Sequence, residues 1–179
     1  MRFWLYGLAL LCGSALQAQE LVDYDALFRD HAEQVVKSTD GKSEHLELQN
    51  GVTVSRYANG IVATDSSEGG AVGCALMITG ELLNIARQCR PAETQLQAGL
   101  EQNFMRVLRF AAENAYPPQD PAPLIKFYEQ SFNRAMDPKS CAEIQSDEGI
   151  LAMMNAFSDP LATESIVKMP RLPVSNPCL

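Results

Sequence analysis

Cys74, Cys89, Cys141 and Cys178 are the side chains in this sequence best suited to covalent chemistry. Cysteines form disulfides, bind soft metals or act as nucleophiles, and their spacing helps decide which. No two of these stand as C-x-x-C, the arrangement of thioredoxin-type redox pairs and of paired zinc knuckles. A nucleophilic cysteine also needs a reduced thiol beside a base. The fifth cysteine, Cys12, lies in an N-terminal stretch that reads as removable, so the remaining set is even. Two structural disulfides are the expectation.

Other reactive groups are sparse. His31 and His45 are the only histidines, and they do not form a His-x-x-x-His zinc pair. His31 falls on the apolar stripe of a predicted helix, and His45 stands beside Glu44 as a solvated residue. After the N-terminal stretch no G-x-S-x-G elbow occurs. "SSEGGAVG" at 66–73 has three glycines but neither G-x-G-x-x-G nor a Walker lysine. "DYDALFRD" offers Asp23, Asp25 and Asp30 without a calcium-loop glycine or terminal glutamate, and Asp23 and Asp25 suit a helix N-terminus. A carboxylate pair for glycosidic chemistry has no fixed spacing, so 22 acids single out no candidates. Arg56, Tyr57, Arg106 and Arg109 read as solvated side chains, and Met153, Met154 and Phe157 as core. No catalytic, metal-binding or cofactor-binding residue is assigned.

The elements that must hold these residues fall into two textures. Residues 21–37 carry Tyr24, Leu27, Phe28, His31, Val35 and Val36 at helical spacing. Two Asn-Gly pairs, Asn50-Gly51 and Asn59-Gly60, then separate short runs, predicting a three-stranded antiparallel meander at 44–49, 52–57 and 61–65. Residues 71–89 fit either an alternating strand at their start or a helix throughout; the length of the pattern favours helix. Leu96, Leu100, Phe104, Val107, Leu108 and Ala111 mark a long helix opened by Pro91. Further helices are expected at 123–136 and 141–157, the latter divisible at Gly149, and a short strand at 165–169. The fold class is α+β: an N-terminal helix and a small β-meander, about 44–65, followed by a disulfide-stapled helical bundle.

Helix geometry then selects the cysteine pairs. Cys74 and Cys89 lie 15 residues apart on one helix, about 22 Å at 1.5 Å per residue. A disulfide needs Cα atoms within about 7 Å, so these two do not join. Helices running up and down bring Cys141 back to the end that holds Cys89. The next helix runs toward Cys74, where the proline-rich tail carries Cys178. The expected pairs are Cys89–Cys141 and Cys74–Cys178. A strand at 72–78 would lift the distance bar and allow Cys74–Cys89.

The first 18 residues have a single charge, Arg2, then the apolar run Phe3 to Leu11, then small and polar residues ending in Ala18. This is the layout of a secretory signal peptide. Cleavage after Ala18 is expected, with Ala15 as the other small-residue site. Lipid attachment at Cys12 is disfavoured because Leu11 is not small. Residues 19–179 then form one globular α+β domain, periplasmic or secreted. A net charge of −8 turns the surface away from nucleic acid and anionic lipid. The expectation is a non-catalytic exported protein that binds a protein or small ligand, or an envelope-associated one. The alternative is a small carboxylate-dependent hydrolase.

Overall fold

The computed structural model describes residues 21–132 and 135–178. The expected signal segment lies outside these residues. An α+β fold results, with a four-stranded antiparallel sheet packed beside a group of helices.

Helix α1, Tyr24–Asp30, begins where the Asp23 carboxylate accepts the Ala26 N–H at 2.9 Å. It is shorter than the pattern at 21–37 predicts. His31 caps it, a short 3-10 turn covers Ala32–Gln34, and the chain then becomes extended. The β-branched pair Val35 and Val36 explains the change, since such side chains suit strands better than helix ends. Val36–Lys37 is strand β1, which the sequence did not announce.

Strands β2, Ser43–Glu47, β3, Val52–Tyr57, and β4, Gly60–Asp65, complete the sheet in sequence order. Asn50 and Gly51 both take positive φ, 62° and 88°, as the β2–β3 turn requires. Around that turn Leu46 faces Val54 and His45 faces Ser55. Leu46, Val52 and Val54 point to one side and are fully buried against Leu27 and Phe28 of α1 and Leu172 and Val174 of the tail.

The stretch open between strand and helix is helical: α2 runs over Val72–Cys89 and buries most of its length. Arg90, Pro91, Ala92 and Glu93 form a turn closed by the Glu93 N–H on the Arg90 carbonyl, so Pro91 sits in a turn rather than opening the next helix. Helix α3 starts at Thr94 and ends at Glu113, burying Leu100, Phe104, Val107, Leu108 and Ala111. Helix α4 covers Pro121–Phe132. The expected segment at 141–157 is two helices, α5 over Pro138–Ser146 and α6 over Glu148–Ser158. The break falls at Asp147, not Gly149, because the Asp147 carboxylate accepts the Gly149 and Ile150 N–H groups and starts a new helix. α3 packs on α2, α4 and α6, and α5 lies against α2.

Residues 165–169 form turns rather than a strand. The Arg171 guanidinium takes the Ile166 and Met169 carbonyls, which curls that backbone away from any ladder. The tail then returns to the body. Gly73 donates its N–H to the Val174 carbonyl at 2.8 Å, and a Cβ at Gly73 would meet that oxygen at 2.9 Å. Cys74 joins Cys178 and Cys89 joins Cys141, each with Cα atoms 5.1 Å apart.

Candidate binding surface

Register places Val36, His45, Ser55 and Val62 in one row across all four strands. Cross-strand partners share a face, so this row lies on the side opposite Leu46 and Val54. The next row on that side pairs Ser43 with Tyr57. Val36 is 65% exposed, Val62 49% and Tyr57 42%. The outer face of the sheet therefore carries an apolar patch with a polar centre.

That centre is His45. Its Nε2 lies 2.9 Å from Ser43 Oγ and its Nδ1 lies 2.9 Å from Ser55 Oγ. The Tyr57 ring meets it edge-on with centroids 6.3 Å apart. A neutral imidazole here donates to one serine and accepts from the other. A serine on a histidine has the makings of an activated nucleophile. Catalysis would also need preorganised donors for an oxyanion, and the Ser43 N–H is already given to Ser38 Oγ at 3.0 Å. The sequence reading left His45 solvated; the pleat of β2 sets Ser43 beside it, and the β2–β3 register brings Ser55 to it.

Most of the other singled-out residues have structural partners. His31 is half-buried at the end of α1, its ring 6.1 Å from Tyr116, instead of on the buried stripe. The Tyr116 hydroxyl donates to Asp30 at 2.8 Å, and that bond raises the Tyr116 pKa above the usual tyrosine value. Arg56 spans Glu44, with Nη2 at 2.6 Å, and Asp25, with Nη1 at 3.6 Å, while its guanidinium lies 4.2 Å over the Phe28 ring. The hydrogen bond from Arg56 holds the Glu44 carboxyl below the usual glutamate range. Arg106 donates to the Pro160 carbonyl. Met154 is wholly buried and Phe157 half-buried, as core residues, but Met153 is 44% exposed.

The glycine loop at 66–73 is no phosphate cradle. A Cβ at Gly69 would meet the Ser165 carbonyl at 2.5 Å, and the Gly70 carbonyl accepts from Arg171 at 2.6 Å. The space beside the loop is filled by this protein's own arginine.

Two depressions bear on ligand binding. One, of about 580 Å3, runs along α3 between Arg106, Arg109, Met105 and Phe110. The other, of about 490 Å3, is a trough beside β4, lined by Asp23, Tyr24, Asp25, Ile61, Tyr116 and Pro117. The trough brings two carboxylates together, yet Asp23 is engaged in capping α1 and Asp25 stands beside Arg56. Among the described residues no group of three or more His, Cys, Asp or Glu side chains is placed to hold a metal ion. No helix among them is long and apolar enough to cross a membrane. Comparison of the chain with protein-family models, with curated proteins and with solved structures finds no match.

Proposed function

We propose that this chain is an exported, non-catalytic protein that binds a partner protein through the outer face of its sheet. The exposed trio Val36, Tyr57 and Val62, spread over β1, β3 and β4, carries the reading. Single exposed apolar residues are ordinary on a protein surface; three on one face of one sheet, set around His45, are what points to an interaction site here. Tyrosine with an adjacent polar group is the kind of anchor that interfaces favour. Two disulfides fit an oxidising compartment, where such a partner would be met. The hydrolase alternative has less behind it, because of the two acids that share a trough Asp23 is engaged in capping α1, which leaves no free carboxylate pair there.

The test uses a photo-crosslinking phenylalanine analogue at position 57, and at position 139 on α5 as the control. In cells that make the protein, position 57 should give one discrete protein adduct that position 139 does not. Equal adduct patterns from both positions, or none from position 57, would overturn the reading.

A further inference from the structure

The two edges of the sheet are unlike. β1 is only two residues long and includes the charged Lys37. β4 is six residues long, and Gly60, Ile61, Val62, Ala63 and Thr64 include no charge and no proline. Edge strands are usually blunted by shortness, charge, proline or a cover, since their free backbone groups invite another strand. β1 has two of these devices, and the first five residues of β4 have no charge, proline or shortness to serve.

The direction of the free groups follows from one bond. The Asp65 N–H donates to the Asn176 carbonyl of the tail at 2.8 Å, so Asp65 points away from β3. In an antiparallel pair, alternate residues turn their N–H and C=O to opposite sides. Ile61 and Ala63 therefore face the same open side as Asp65. Among the described residues neither has a backbone partner there. The tail already uses one position of this edge and bounds the free part at Thr64.

Beside the start of the same strand lies the trough lined by Tyr24, Ile61, Tyr116, Pro117, Asp23 and Asp25. Its walls are aromatic and apolar, and the Asp25 side chain is 85% exposed. Arg56, the cation facing Asp25, is also held by Glu44 at 2.6 Å, so carboxylates outnumber cations around the trough. Such a site suits a long basic side chain, whose methylene stem lies on apolar walls while its charge meets a carboxylate.

We propose that the free edge of β4 takes a fifth strand: an extended segment of a partner protein, bonded to Ile61 and Ala63, with a lysine or arginine in the trough at Asp25. Backbone pairing supplies affinity in this mode, and a side-chain pocket beside the edge supplies selectivity. The proposal rests on the reading that the sheet binds protein, and it states which chemistry the partner presents. A pairing of β4 with a second copy of this chain would bring no basic residue from β4 to the trough, since β4 contains none.

The probe is a short capped peptide of alternating threonine and valine with one central lysine, and its twin with glutamate in that place. Titration into the full mature protein, followed by amide NMR, should move Ile61 and Ala63. The lysine peptide should bind roughly two- to fivefold tighter than its twin, the scale of an exposed ion pair. Asp25→Asn should remove that preference while leaving the amide shifts. Ala63→Pro deletes one edge donor and spares the ladder to β3, since proline is tolerated where its missing N–H would face out; it should abolish the shifts. If Ala63→Pro unfolds the protein, the Asp25→Asn result decides alone. Absence of shifts at millimolar peptide, or equal binding of both peptides, overturns the proposal. So does sedimentation showing a dimer that Ala63→Pro dissociates. A position-57 adduct with no peptide binding would sink the edge proposal alone; loss of both would sink the binding reading as well.

Discussion

Asp65 and Arg171 are each almost wholly buried and meet at 2.7 Å, although 106 residues separate them. The pair's other hydrogen-bond partners are backbone groups, drawn from the stretch just after Asp65 and the stretch just before Arg171. Arg171 donates to the carbonyls of Ile166, Met169 and Gly70, while Asp65 Oδ1 accepts the Ser67 N–H. A buried ion pair adds little net stability over an apolar pair of like volume, but removing one partner strands the other charge. Asp65→Asn should therefore cost about 3–5 kcal/mol, read as a lower urea midpoint at unchanged slope. The double variant Asp65→Leu with Arg171→Met should cost less than either single change. A double variant that costs the sum of both would show that the two side chains act independently, and would contradict this account. Nothing in the sequence marked these two residues, because pairing over such a separation leaves no local pattern. His45 was misjudged for a related reason. Ser55 reaches it only through a hairpin register centred on Asn50, and the turn was legible while its loop length was not.

At the scale of elements, periodic signals gave the helices that bury a stripe, α2 and α3, and the alternating strands β2 to β4. They failed where a local polar interaction outweighed the pattern: Asp147 splitting one helix into two, the Arg90–Glu93 turn absorbing Pro91, and Arg171 curling residues 165–169. Tracing helices up and down gave the same cysteine pairs that the structure holds: helix rise forbids Cys74–Cys89, and the bundle path chooses between the two pairings left. The two bridges serve different elements. α5 has no fully buried residue and is tied to α2 by Cys89–Cys141 and by the Gln145 side chain on the Cys89 carbonyl. Replacing Cys89 and Cys141 with serine should free α5 first, seen as lost amide-exchange protection there while α3 keeps its own. Cys74–Cys178 spans 104 residues, for which the loop-entropy relation gives about 4–5 kcal/mol as an upper figure. Its removal should lower protection across the whole fold. Equal effects from the two pairs would contradict this division.

At the scale of the molecule, a sheet with its own apolar cluster and a helical group with another share the half-buried Leu21. The two bridges fit an oxidising compartment. Export predicts a mass. Protein isolated from its native compartment should begin at Gln19, carry both disulfides and bear no lipid. A mass that retains residues 1–18, or a lipid on Cys12, would contradict it. The tail has a further consequence, in the timing of assembly. Arg171 closes the ion pair, Val174 fills the cluster beneath the sheet, Asn176 sits on β4, and Cys178 seals the longest loop. All four belong to the single stretch 171–178, which follows every helix and strand in the order of synthesis. Folding is cooperative in small domains, so a nascent chain lacking these residues has neither a finished core nor a neutralised Asp65. The polypeptide thus cannot complete its fold before residues 171–178 are in place, and they act as the latch that commits it to its shape.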